Sequence, residues 1–312
     1  ETAAAVREGG DSAGGVYFSV EDGQLMIGLG SGLGLSNSTR GERPMAPVLY
    51  RLIDGPFSLN VIRDALKYIA VENFDLSLWN VCAGAHRTIF YDALPVKKEN
   101  QNAEEFLEAE NRKLTFLNRL RAFQNMQVKD GITRLRTSGR QKEAGKVLEQ
   151  KGVDTWIAVD AVRLALTGMA DEIEIITSDS DIYPVFDVLR ETRARGRLRY
   201  EHGRAVDELT FSADSARPIR LTDIAGWSGI SLGHVAISGR HPEITKAIEF
   251  SLDGYNYACG REGLRFAVLR TDGSGNLNSL VADNYLSVLD FLNEAGSTRT
   301  WAELDRLVST IK

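Results

Sequence analysis

KGVDTWIAVDAVRLALTGMADEIEIITSDSDIYPVFDVLRETRARGRLR, residues 151–199, decides the fold. Its apolar spacing predicts a helix over 154–167, a strand over 172–177, a second helix over 182–195 and a strand near 198–200. Strands alternating with helices form a parallel sheet covered on both faces, the α/β class. Right-handed crossovers then bring the C-terminal ends of the strands to one edge, where ligands bind in open α/β sheets.

Upstream, VLYRLIDG (48–55) reads as a short buried strand ending in an acid and a turn glycine. A helix over 59–71 follows, with Val61, Ile62, Leu66 and Ile69 on one face. LSLWNVCAG (76–84) and HRTIFYDALPV (86–96) read as strand-rich, 103–126 as a long amphipathic helix and 128–137 as extended. Residues 1–47 are rich in Gly, Ser and Ala and read as a flexible leader, with a short strand pair around 16–20 and 24–27. GLGSGLG (28–34) is neither nucleotide fingerprint, because no Lys-Ser/Thr follows and no acid stands about 20 residues on. Low-complexity linker is the better reading.

The sequence divides into a leader (1–47), an α/β domain (48–206) and a small α+β accessory domain of unassigned role (207–312). In the last, LRFAVLRT (264–271) reads as a strand, with helices over 282–296 and 301–311. TDGSGNLNS (271–279) resembles part of a calcium loop, but Leu277 stands where that loop needs Gly, and a hairpin turn is the better reading.

Of the 312 residues, 43% are hydrophobic and 26% charged, enough for a sizeable core without disulfides. Cys82 and Cys259 lack metal-ligand spacing and read as buried thiols, and four histidines without HExxH speak against zinc. No apolar run approaches a membrane span of ~18–20 residues, and no basic segment precedes an apolar one as in a signal peptide. A cytoplasmic setting is expected. The net charge of −6 is not that of a typical nucleic-acid binder. It hides an asymmetry: residues 112–151 hold eleven basic residues against three acidic ones. A second cluster (Arg190, Arg193, Arg195, Arg197, Arg199 and Arg204) follows. These segments fit a phosphate-tracking surface as well as they fit solvated helix faces.

The acids carry the chemistry. Asp54 ends the first strand, Asp179 and Asp181 follow a later strand, and Asp154 starts the helix between, with Asp160 two turns on. Carboxylates converging at one edge repel, and such a cluster persists only if protons or cations neutralise it. Oxygen-only ligands select Mg²⁺ or Mn²⁺, which can activate water for phosphodiester hydrolysis. For Asp154 or Asp181 alone, helix capping is the better reading, and Asp160 beside Arg163 could simply be a surface ion pair.

The stretch 151–199 resembles the core of NYN domains, the LabA-like branch of the PIN-like nucleases. The matching positions are Lys151 and Asp154, then Asp160, then Ser178-Asp179-Ser180-Asp181-Ile182. IDG (53–55) is similar to the family's first-strand motif and RTIFYDALP (87–95) to its Arg-x-x-Tyr-Tyr-Asp element. The resemblance implies a PIN-like three-layer α/β/α domain with a mostly parallel sheet and metal-dependent endoribonuclease activity on RNA. It implies Asp54, Asp154, Asp179 and Asp181 as ligands of Mg²⁺ or Mn²⁺, and Asp160 as a fifth catalytic acid. Ser178, Lys151, Asn60 and Arg87 are the implied substrate contacts. The chain departs from the family at Pro56 and Phe57, where an Asn often follows the first Asp-Gly, and at Ser178 and Ile182, where Gly and Phe are usual.

Two other readings stand beside the ribonuclease. A binding module of the same fold would hold RNA or a protein without turnover, Phe57 being its best support. A phosphatase or phosphotransferase using an aspartyl intermediate would need an acid two residues after Asp54, and that position is Pro56. DNA stays open as a second substrate, as does homo-oligomerisation. No membrane partner is expected.

Overall fold

The computed structural model describes residues 16–21, 24–29, 46–69, 74–95, 97, 101–136, 147–201, 207–294 and 299–312; for 16–29, 69, 132–136 and 147–151 it describes the backbone only. Strands β1 (Val16–Glu21) and β2 (Gln24–Leu29) pair antiparallel, close to the expected pair. They belong to a unit of their own, residues 1–46. Residues 30–34 of the glycine-rich stretch lie outside the described residues.

From Pro47 onward the chain forms one compact unit. Its first strand, β3 (Leu49–Asp54), is buried at every position, as a central strand covered on both faces must be. Two charged residues interrupt its apolar character: Asp54 at its end, and Arg51, which pairs with Glu174 on the neighbouring strand. Arg51 also donates from Nη1 to the carbonyls of Val81 (2.5 Å) and Ala83 (3.2 Å). Those carbonyls close α2 (Leu78–Cys82), a short helix where a strand was expected. A buried guanidinium collecting helix-end carbonyls overrides local β propensity there.

Helix α1 (Gly55–Leu66) starts four residues earlier than periodicity predicts. Asp54 caps it, its Oδ1 accepting the Phe57 N–H at 3.2 Å, and Pro56 fits the first turn. Val61, Ile62, Ala65 and Leu66 form its buried stripe. Burying each of the larger three stabilises the fold by about 1.5–3 kcal/mol.

The chain continues through β4 (Arg87–Ala93), α3 (Ala103–Arg121), β5 (Met126–Arg136), β6 (Val147–Lys151), α4 (Val153–Leu166) and β7 (Glu172–Ile176). Then come α5 (Tyr183–Arg190), β8 (Arg195–Tyr200), α6 (Asp207–Ser212), β9 (Ser215–Pro218) and α7 (Leu221–Trp227). The seven-stranded sheet runs in the order β6-β5-β4-β3-β7-β8-β9. Six strands are parallel, and β6 pairs antiparallel with the far end of β5. One apolar cluster joins the sheet to α1, α2, α3 and α7, and a second joins its other face to α4, α5 and α6. This is the expected three-layer α/β/α arrangement.

A second sheet follows, made of β10 (Val235–Ser238), β11 (Thr245–Leu252), β12 (Tyr255–Glu262), β13 (Arg265–Thr271) and β14 (Leu277–Ala282). It is antiparallel, in the order β10-β14-β13-β12-β11. Helices α8 (Tyr285–Asn293) and α9 (Trp301–Val308) complete the chain. A domain break at 206/207 does not fit this architecture: β9 pairs with β8, and the core over α1, α2 and α7 continues into the second sheet and α8. The 271–279 stretch turns β13 into β14, with Asp272 accepting the backbone N–H groups of Ser274 and Asn276. Among the described residues, no helix is long and apolar enough to cross a membrane.

Candidate active site

Parallel pairing aligns the strand ends. Asp54, the last residue of β3, stands opposite Tyr91 on β4, which stands opposite Lys129 on β5. On the other side of β3 lies β7, and the chain leaves it through Thr177, Ser178 and Asp179. Helix α4 begins over the same edge. Gly152 makes the turn into it with φ +97°, a backbone conformation that L side chains rarely adopt. Gly55 answers a different need, since a Cβ there would stand 2.5 Å from the Phe90 ring and 2.6 Å from the Tyr91 carbonyl. The Asp-Gly pair therefore ends a strand and presses the next helix against β4.

Asp54 is 8% exposed. Its Oδ2 accepts the Thr177 hydroxyl at 3.0 Å. Burial, with Asp154 and Asp179 nearby, pushes its carboxyl up to about 6, against the lowering effect of the Phe57 N–H and Thr177 hydroxyl. Asp154, in the first turn of α4, is raised too, by burial first and then by Asp179 and Asp181. The four acids therefore share one field at the strand ends. Asp179 uses its Oδ1 to accept the Asp181 N–H at 2.9 Å, which closes the Ser-Asp-Ser-Asp turn. Among the described residues, no three His, Cys, Asp or Glu side chains stand together as a formed metal-binding group.

Asp160 does not join these acids. Buried at 1% exposure, it accepts the Tyr91 hydroxyl (2.7 Å), Lys129 Nζ (2.7 Å) and Arg163 Nη2 (3.1 Å). Its place in the expected catalytic set is corrected: it anchors α4 to β4 and β5. Ser178 accepts the Glu201 N–H at 2.9 Å and so ties the ends of β7 and β8 together. Asn60 is exposed on α1 and accepts Arg63 Nη1 at 2.8 Å. Arg87 is misplaced for a substrate contact. It opens β4 level with Tyr50, four residues before Asp54, hence roughly 13 Å away toward the other edge. The side chain of Lys151 lies outside the described residues.

The basic segments are also spent differently than expected. Arg112 pairs with Glu108, Lys113 with Asp92, Arg119 with Asp75, Arg121 with Asp130 and Lys129 with Asp160. In the second cluster Arg197 pairs with Glu172 and Arg199 with Asp223, and Arg195 opens β8 at the edge away from Asp54. Arg204 lies outside the described residues. The Phe57 ring packs against the cluster over α1, whereas Asp54 shares a strand face with Leu52 of the other cluster. Ile182 is buried in that second cluster. Sequence reasoning missed Thr177, whose hydroxyl also accepts the Asp179 N–H at 3.2 Å. Its only signal is its position directly before Ser-Asp-Ser-Asp.

A mostly parallel sheet between helical layers, with carboxylates gathered at the strand C-termini, defines a PIN-like, nuclease-type α/β/α domain. Residues 88–219 match the family model of the NYN domain. The match includes Asp154, Asp160, Asp179 and Asp181, and Asp54 precedes it. No curated protein matches the chain. Among solved structures, a protein of unknown function, VPA0982 from Vibrio parahaemolyticus RIMD 2210633, is 16% identical with a TM-score of 0.38, over 57% of this chain and 96% of that one. A chitinase from Chromobacterium violaceum ATCC 12472 is 9% identical with a TM-score of 0.23, over 85% of this chain and 99% of that one. At such TM-scores neither likeness bears on fold or function.

Proposed function

We propose that this protein is a Mg²⁺- or Mn²⁺-dependent endoribonuclease whose site is the Asp54, Asp154, Asp179 and Asp181 edge. The observation that carries this reading is the shared field of these acids: Asp54 is buried, and Asp154 and Asp179 each disfavour its charge. A surplus of carboxylate oxygen without nitrogen or sulfur ligands suits a hard divalent cation. When bound, such a cation supplies an activated water and neutralises charge on the transferring phosphoryl group. Asp54, Asp154 and Asp179 would hold it, with Asp181 beside them.

The chain's own groups orient the acids. Thr177 directs Asp54 Oδ2 and fixes the turn that presents Asp179. The Phe57 N–H holds the other Asp54 oxygen. At neutral pH Asp54 is mostly ionised, ready to bind a cation.

Purified protein would be incubated with labelled single-stranded and structured RNA in Mn²⁺, Mg²⁺ or EDTA, beside Asp54→Asn and Asp179→Asn/Asp181→Asn. Cutting that needs the metal and is lost in the variants is the expected result. Folded wild type that binds RNA and leaves it intact would replace this reading with the binding module.

A further inference from the structure

Trp156 and Tyr183 are each 44% exposed, large rings half in water within two residues of an acid of the site, Asp154 and Asp181 respectively. A single exposed aromatic is ordinary. The sheet order makes this pair different. Lys129 Nζ stands 5.1 Å from the Trp156 ring centroid, which puts that ring on the β5 side of Asp54. Tyr183 opens α5, directly after the turn that leaves β7, on the opposite side of Asp54. The two rings therefore flank the carboxylates along the strand edge. From β5 to β7 is three strand spacings, about 14 Å, a span a few nucleotides can cover.

Lys129 is itself held by Asp160, so the ring is braced through a cation–π contact to a fixed ammonium. Much of the described basic charge is paired internally, which leaves base recognition more to surfaces than to point charges. Aromatic faces bind any unpaired base by stacking, whereas bases in a duplex are already stacked on each other. We infer that Trp156 and Tyr183 are the stacking residues of this site, one on each side of the carboxylates, and that they select an unpaired RNA strand over a duplex. The inference rests on the polynucleotide substrate proposed above, and its test does not require cleavage.

Fluorescence anisotropy of the full chain in EDTA would compare a labelled 12-nucleotide RNA, an abasic strand of equal charge and a 12-base-pair RNA duplex. Wild type should bind the RNA strand best. Trp156→Ala and Tyr183→Ala should each weaken that binding about tenfold and leave duplex and abasic binding unchanged. Trp156→Phe should restore most of the affinity. Phe211→Ala, at an exposed ring on α6, is the control and should change nothing. Ala variants that bind the RNA strand like wild type, equal losses on all three probes, or a wild type that binds none of them would overturn the inference. Cleavage in Mn²⁺ with unaltered KM in both Ala variants would leave the nuclease standing without it. Ring-dependent binding without cleavage would do the reverse.

Discussion

The Thr177 hydroxyl donates to Asp54 Oδ2 at 3.0 Å, joining the C-terminal ends of two adjacent parallel strands. The Thr177 hydroxyl oxygen in turn accepts the Asp179 N–H at 3.2 Å. One fully buried side chain thus sets the aim of two acids that lie more than a hundred residues apart in sequence.

Thr177→Val keeps the shape and removes both bonds. Groups that orient ligand carboxylates typically change activity by about 10- to 100-fold when lost, and metal-dependent RNA cleavage by this variant should fall within that range. Thr177→Ser should retain activity close to wild type. Equal cleavage by Thr177→Val and wild type would show that the hydroxyl orients nothing that matters.

Asp54 and Asp160 should separate by phenotype. Asp54→Asn relieves repulsion among the acids, so it should abolish cleavage while leaving the melting temperature equal to or above that of wild type. Asp160→Asn leaves Lys129 partly buried without its counter-charge and should lose about 3 kcal/mol of stability in denaturant unfolding. An Asp160→Asn protein as stable as wild type but inactive would return Asp160 to the catalytic set.

Gly55→Ala tests the close approach of α1 to β4. The added methyl meets the Phe90 ring and the Tyr91 carbonyl below 3 Å, and one of its neighbours is backbone that cannot swing away. Such overpacking costs about 1–3 kcal/mol, and thermal unfolding should show a loss of several degrees. Because Asp54 precedes the displaced helix, cleavage should fall as well.

Asp290 on α8 accepts the N–H groups of Leu221 (2.6 Å) and Thr222 (2.8 Å), capping α7 from outside its own helix. Burial raises its carboxyl above the ordinary value, with the bonds from Thr222 and Leu221 and the Arg220 charge opposing. A raised carboxyl means that the folded state binds more protons than the unfolded one, so stability falls as pH rises. The fall begins near the ordinary value of about 3.9 and ends above the folded value. Melting of wild type and Asp290→Asn at matched pH should show wild type losing its relative advantage through that window. A constant difference would refute the linkage.

Much of the site was legible in local sequence because its requirements are local. Asp-Gly at 54–55, Asp154 at the start of α4 and Ser-Asp-Ser-Asp at 178–181 each mark a turn or a helix start, and short-range sterics dictate such features. The role of Asp160 was not legible. Its partners Tyr91 and Lys129 come from strands 69 and 31 residues away, and nothing in the helix pattern names them. Arg87 misled for a similar reason, since the motif around it records that a strand is present and says nothing of which end faces the acids.

By itself the sequence determined the alternation of strands and helices, the apolar runs that make β3 and β7 central, and the placing of acids just after strands. Those follow from backbone sterics and from burying apolar side chains at fixed periods. Only the tertiary structure decided that β9 belongs to the nuclease-type sheet, that α2 is a helix closed by Arg51, and that four acids share one field while a fifth is neutralised. Electrostatic energy depends on separation in space, and a chain that folds back between distant strands sets those separations only once its sheet is assembled.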